Sequence, residues 1–266
     1  MREIVVIRGA GDIASGVGYR LKKSGFRVIM LEIDKPTVVR RTVSFASAIY
    51  KGETMVEDMK AIKVDTAKEA LEISKENLIP VLVDKEGKSI EVIKPTAVVD
   101  CILAKKNLGT NINMAPAVIG VGPGFQAGVD VHAVVETKRG HDLGRVIWNG
   151  SAAPDTGIPG DIEGYSSERL IRATSEGRLK IIKDIGQIVK KGERLCEIDG
   201  EYVIAAIDGL LRGMIMDGSW VYKGMKIGDI DPRGNEVNCY TISDRARAVG
   251  GGVLEALLSI LDRSVI

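Results

Sequence analysis

The chain has 266 residues, with 37 Lys and Arg against 36 Asp and Glu, for a net charge of +1. Charge so balanced gives no overall field to draw in nucleic acid or an anionic membrane, and two Trp, six Tyr and three Phe leave little to stack on bases. No apolar run approaches the roughly 20 residues of a membrane span. Cys101, Cys196 and Cys239 are scattered and make neither a disulfide framework nor a CxxC metal pair. The start, MREIVVIRG, runs straight into a strand without a secretory or transit pattern, so a cytoplasmic location is expected.

Glu3 to Arg8 is an Ile- and Val-rich run, as in a strand buried on both faces. Gly9, Gly11 and Ala14 follow at the spacing G-x-G-x-x-A, the Ala form of a dinucleotide fingerprint. In that fingerprint Gly9 permits the tight turn, Gly11 lets backbone approach a phosphate, and Ala14 keeps the helix close to the sheet. Asp12 is placed to cap a helix whose apolar stripe is Ile13, Val17 and Leu21. FRVIMLEI is a second strand, and its Glu32 stands where an acid accepts a ribose hydroxyl. The turn reads first as a nucleotide cradle, with a purely structural strand-to-helix bend as the alternative. Arg40 and Arg41 read as a 2′-phosphate contact or as a solvated turn.

Residues 60–66, 80–84 and 96–104 read as strands, with 67–77 a helix. APAVIGVGPGF is strand then loop, with Gly120, Gly122 and Gly124 around Pro123, either touching a ligand or forming a turn. In 131–150, two strands flank a polar turn that holds His141 beside Glu136, Arg139 and Asp142. That group suits proton transfer or anion binding, or is a solvated turn, and its spacing with His132 matches no metal site, so no metal is expected. His132 falls in a strand as a half-buried, satisfied histidine.

Residues 177–199 align with 209–231 at an offset of 32, matching Gly177 to Gly209, Gly186 to Gly218, Gly192 to Gly224 and Asp199 to Asp231. Identities at turn and core positions in register indicate a duplication. The two halves resemble the barrel-sandwich of biotinyl and lipoyl carriers, but the joining hairpin, 199–209, has no lysine to modify. A last helix follows, with Val253, Leu257 and Leu261 on one face and glycines 250–252 poor for a helix interior without a close approach. Cys239 is a reactive thiol or a small buried hydrophobe, and Cys101 belongs to the core. The expected architecture is α/β: a Rossmann-like domain over 1–168, a barrel-sandwich-like β domain over 169–234, and a carboxyl-terminal segment and helix over 235–266 packing on the core.

VIRGAGDIASGVGYRL, MLEIDKPTVVRRTVSF, VIGVGPGFQAGVDVHAVVETKRGHDLGRVI, DTGIPGDIEG and ISDRARAVGGGVLEALL together resemble the YqeB-type selenium-dependent molybdenum hydroxylase system family, over essentially the whole chain. One departure is Asp155, where the family pattern has Asn. The resemblance implies a bacterial accessory role in maturing these hydroxylases, with the hydroxylase or its maturation proteins as partners. It names no reaction, and it adds the molybdenum cofactor to NAD(P) as a candidate ligand of the Gly9 turn. Three expectations follow: a maturation factor binding a dinucleotide or the molybdenum cofactor, an NAD(P)-dependent oxidoreductase using His141 or Cys239, and a non-catalytic scaffold. Whether the chain is an enzyme, or a homo-oligomer, stays open.

Overall fold

Val5, Val6 and Ile7 are fully buried in succession, which requires a strand covered on both faces. In the computed structural model, which describes residues 3–157 and 159–263, that strand is near the middle of one large sheet. Ile158 of the DTGIPG stretch and residues 1–2 and 264–266 lie outside the described residues. The chain divides into two compact units, one of residues 1–36, 44–156 and 242–266, the other of 37–43 and 157–241.

The first unit begins β1 (Ile4–Arg8), α1 (Asp12–Lys23) and β2 (Arg27–Glu32). It continues with α2 (Ser47–Lys51), β3 (Glu53–Val56), β4 (Met59–Val64), α3 (Ala67–Ile73), β5 (Leu78–Val83) and α4 (Ser89–Ile93). β6 (Ala97–Asp100), β7 (Ala117–Val121), β8 (Ala133–Val135) and β9 (Val146–Ile147) complete the sheet. The strand order is β3-β4-β5-β2-β1-β6-β7-β8-β9, parallel except at its two ends, where β3 pairs with β4 and β8 with β9 antiparallel.

This overturns the expected Rossmann-like domain followed by a barrel-sandwich. The dominant element is a nine-stranded mixed sheet with few helices, not a doubly wound parallel sheet. The connections from β6 to β7 and from β7 to β8 contain no helix. Their sequences, NLGTNINMAP and GPGFQAGVD, carry too many Gly, Pro and Asn residues to sustain one. The third strand expectation, 96–104, stops at Asp100, and the 67–77 helix stops at Ile73. The β3–β4 hairpin was not legible either, because its turn uses Glu57 at φ 53 where glycine or asparagine is usual.

Cover for β7 and β8 comes from the far end of the chain, as α5 (Asp244–Arg263). α5 also lies along α1, and the glycines of both helices explain how closely. A Cβ on Gly16 would sit 2.6 Å from Ala246 Cβ, and one on Gly250 would sit 3.0 Å from Gly16 O. A Cβ on Gly252 would sit 2.0 Å from Gly144 O. The run of glycines is therefore a backbone contact surface, except at Gly251, which faces open space.

The second unit contains β10 (Leu170–Arg172), β11 (Gly177–Ile181), β12 (Ile188–Val189) and β13 (Arg194–Ile198). β14 (Glu201–Ile204), β15 (Gly209–Met214), β16 (Trp220–Val221) and β17 (Lys226–Asp231) follow. They form two four-stranded antiparallel sheets, β10-β17-β15-β12 and β14-β13-β11-β16. The duplication is visible in the backbone: φ is 153° at Gly177 and 151° at Gly209, and 88° at Gly192 and 82° at Gly224. Each half lends a strand to the other, β16 pairing with β11 and β12 with β15. The core holds Leu179, Leu195, Ile198, Leu211, Val221 and Ile230, all fully buried.

Gly252→Ala is expected to lower stability by several kcal/mol, because the added methyl meets the Gly144 carbonyl and backbone must move. Gly251→Ala should instead be neutral or stabilising by up to about 1 kcal/mol, the usual gain in a helix interior. Urea unfolding of the two variants checks the pair, and equal effects would refute the packing argument.

Candidate functional site

β1, β6, β7 and β8 all end at the same edge of the sheet, so the loops that leave them gather at that edge. A buried ion pair stands there. Arg8 and Asp100 stand opposite each other in register, and Arg8 Nη1 lies 3.3 Å from Asp100 Oδ2. Thr110 Oγ1 accepts from Arg8 Nη1 and donates to Asp100 Oδ2 at 2.5 Å. Arg8 Nη2 donates to Leu108 O at 3.2 Å and Lys85 O at 3.4 Å, while Asp100 Oδ1 accepts from Ile102 N at 3.0 Å. Four loop positions are thereby tied to two strand ends.

The glycine turn sits beside this pair. Gly9 has φ 95° and its Cβ would lie 2.8 Å from Cys101 O, so glycine is demanded by the neighbouring chain whatever the ligand. Gly11, at φ −65°, is the N-cap of α1, and no side chain caps the helix there. Asp12 is thus the first helical residue and not the cap that the sequence suggested. The first intrahelical bond runs from Ser15 N to Gly11 O at 2.8 Å. Ala14 is buried against the sheet, as its place in the fingerprint requires.

Glu32 does not point away to wait for a ribose. Its Oε2 accepts from Ala10 N at 2.8 Å and its Oε1 from Ile33 N at 2.8 Å, so the carboxylate holds the glycine turn directly. Burial raises its pKa above the usual 4.5, and the two backbone N–H donors, Ile33 first, pull it back down.

Arg245, at the start of α5, brings positive charge to the same edge. Its Nε donates to Thr137 O at 2.8 Å. Burial lowers its pKa, opposed by the carboxylates of Asp12, Glu136 and Asp155 and assisted by Arg139. Glu136 is itself committed, accepting from Thr137 N at 2.6 Å, Lys138 N at 2.7 Å and Ala153 N at 2.7 Å. The loop after β6 completes the rim with Leu103 at φ 58° and Lys105 at φ 62°, left-handed conformations that non-glycine residues adopt at a cost. Lys105 Nζ pairs with Asp155 Oδ2 at 2.5 Å.

The second glycine loop reaches this edge as packing. Gly120 leaves room for the Phe125 ring, Gly122 (φ 81°) for Thr137 Oγ1, and Gly124 (φ 109°) for the backbone of Lys106. His141 is exposed, and its expected partners are engaged elsewhere: Arg139 with Asp244 at 2.8 Å and Asp142 with Arg145 at 2.9 Å. His132 lies just before β8, where its Nδ1 accepts from Val118 N at 3.0 Å and burial lowers its pKa.

Arg40, Arg41 and Cys239 fall in the second unit. Arg41 Nε donates to Met214 O at 2.6 Å and its Nη2 pairs with Asp184. Cys239 is buried in that unit's core, and its carbonyl accepts from Thr42 Oγ1, so it is placed as a hydrophobe and not as an accessible thiol. Cys101 is also buried, which pushes its thiol well up. Among the described residues no group of three or more His, Cys, Asp and Glu is placed to hold a metal, and no helix is long and apolar enough to cross a membrane.

Sequence reasoning passed over Arg8, Asp100, Thr110 and Arg245. A signal existed for two of them: opposite charges end the apolar runs VVIR and AVVD, and parallel pairing brings them level. No spacing could have announced Arg245.

Fold and site together define a mixed-sheet α/β protein with a cluster of charged and hydrogen-bonded groups at the carboxyl edge of its parallel strands. No family model matches the chain. It is 49% identical over 263 residues to the uncharacterized protein YqeB of Escherichia coli (strain K12), covering 99% of this chain and 49% of that protein. The chain therefore spans about half the length of the curated relative it matches, and this likeness supports the YqeB family resemblance read from the motifs. Similar solved structures include an aspartoacylase family protein from Mesorhizobium loti, at 6% identity and TM-score 0.29 over 86% of this chain and 85% of that one. A succinylglutamate desuccinylase from Silicibacter sp. TM1040 matches at 10% identity and TM-score 0.26 over 86% of this chain and 84% of that one. At such scores nothing is carried over from them, and the corrected fold rests on the sheet itself.

Two outcomes follow. Asp100→Ala leaves Arg8 buried without its counter-charge and should cost about 3–5 kcal/mol in urea unfolding, with a near-unchanged midpoint refuting the role given to the pair. A carboxyl whose folded-state pKa is raised binds more protons folded than unfolded, so its stabilisation is full below the unfolded value and is lost as pH rises through the folded one. Wild type should therefore gain stability relative to Glu32→Gln as pH falls from 7 towards the usual 4.5. A pH-independent difference between the two would refute the buried-carboxyl assignment.

Proposed function

We propose that this chain is an accessory protein in the maturation of selenium-dependent molybdenum hydroxylases, and that it binds a dinucleotide or the molybdenum cofactor through the pyrophosphate at the Gly9–Gly11 turn. The observation that carries the binding reading is the pairing of two anion-seeking groups at one edge. The amino end of α1, with no side-chain cap at Gly11, presents the positive end of the helix dipole. Arg245 supplies a guanidinium fixed by Thr137 and coupled to Asp12, the first residue of that helix. The maturation context comes from the motif resemblance, supported by the likeness to YqeB. Glu32 sets a limit on the pose: a phosphate cannot share Ala10 N–H with its carboxylate, so the anion belongs on the helix side of the turn.

A scaffold reading has one observation in its favour. Asp12, Glu136 and Asp155 already surround Arg245, so the cation is balanced by the chain's own carboxylates.

Calorimetric titration of the full chain with NAD⁺, NADH, NADPH, CTP and molybdenum cofactor separates these readings. Micromolar binding of one ligand, weakened at least tenfold by Gly11→Asp and by Arg245→Met, is expected. Turnover of NAD(P)H in the same samples would move the reading to the nicotinamide-dependent oxidoreductase. No heat with any of the five would leave the scaffold.

A further inference from the structure

One cavity of the first unit lies apart from the glycine turn. α4 and the connecting segment 111–116 line a cleft of about 960 Å³, within the roughly 300–1,000 Å³ usual for small-molecule sites. Its walls are apolar where they meet the core: Ile90 is buried, and Met114 and Ala115 pack half-buried against the same cluster.

Three polar side chains define what such a cleft can hold. Lys88 is already spent, its Nζ lying 2.7 Å from Glu86 Oε2. Lys94 and Glu91 also line the cleft, and neither has an ion pair among the described residues. Lys94 ends α4 in the left-handed region, at φ 47° and ψ 62°, with its N–H on Ile90 O. Glycine or asparagine is usual there, so an ammonium is kept at this spot at a conformational cost. His132 is the third group. Its N donates to Val118 O at 2.8 Å and its Nδ1 accepts from Val118 N at 3.0 Å, so β7 fixes the ring. An imidazole whose Nδ1 accepts carries its proton on Nε2, and burial keeps the ring neutral by lowering its pKa. Nε2 is bonded to nothing among the described residues and is the ring nitrogen left to the cleft.

We propose that this cleft binds a small organic monocarboxylate with an apolar body and a carbonyl oxygen remote from its acid group. Lys94 meets the carboxylate, Ile90 and Met114 meet the apolar body, and the His132 Nε2–H donates to the carbonyl. Glu91, one helical turn before Lys94, limits the head group to a single negative charge and disfavours a phosphate dianion. The neutral, sheet-held donor of His132 adds direction without adding charge.

The two histidines of the chain make the test direct, since a ¹H–¹⁵N spectrum of the imidazoles reads His132 with the exposed His141 as its control. The full chain is titrated with levulinate and its longer methyl-ketone homologues, up to the eight-carbon acid. At least one should shift the His132 Nε2 signal and leave His141 unmoved. The alkanoate of equal length should bind about fivefold more weakly, the worth of one neutral hydrogen bond. Lys94→Asn should weaken the best oxo acid about tenfold, with an unchanged or higher thermal melt because asparagine suits the left-handed position. A monoalkyl phosphate of matching length should bind more weakly than the carboxylate, and Glu91→Gln should narrow that gap. No His132 shift at millimolar concentration, equal shifts at both histidines, undiminished binding to Lys94→Asn, or preference for the phosphate would each overturn the proposal.

Discussion

The Arg8–Asp100 ion pair is the constraint on which the carboxyl edge depends. A buried pair of charges is costly to desolvate and holds only if its remaining donors and acceptors are met. Here Thr110 bridges the two side chains, and backbone from Lys85, Leu108 and Ile102 meets the rest. Each of these partners is in a loop and none is in a helix. The pair therefore does in this sheet what a crossover helix does in a doubly wound one: it fixes the path of the chain after β5 and β6. Gly9 is drawn into the same arrangement, because the Cys101–Ile102 backbone passes too close to allow a side chain there.

A second constraint acts on the opposite scale, between residues more than 100 positions apart. The β7 and β8 strands lack helices of their own, so α5 must cover them, and it reaches them only by passing close to α1. Small residues make that passage possible. Gly16 against Ala246, Gly250 against Gly16, and Gly252 against Gly144 bring backbones nearer than any side chain would permit. The same approach carries Arg245 to the amino end of α1. A cation at the glycine turn is thus a consequence of how the sheet is covered, and the binding reading inherits its geometry from that packing.

These two constraints explain what the sequence made legible and what it hid. Local patterns were readable: the β1–α1 turn, the α1 stripe, and the repeat with its paired glycines all appear where periodicity placed them. The fold class was misread because G-x-G-x-x-A reports only one strand-turn-helix, and it was extended to a whole doubly wound domain. The missing helices after β6 and β7 were written in NLGTNINMAP and GPGFQAGVD, but the cover that replaces them comes from the chain's end. Site residues divided along the same line. Glu32 was found by spacing and yet serves the turn itself, while Arg40, Arg41 and Cys239 belong to another unit. Proximity in sequence had grouped what the chain separates. Arg245 was invisible, since only the crossing of α5 over α1 gives it a role.

The second unit applies the same reasoning to symmetry. A duplication begins with two equivalent faces, and each must be solvated, covered or bound. Divergence has treated them differently: Asp231 is buried and paired with Arg212 and Arg233 in one half, whereas Arg178, Lys180 and Arg194 are exposed in the other. Residues 37–43 add beside β15, with Arg40 paired to Met214, so a segment from outside the duplication finishes the edge of one half.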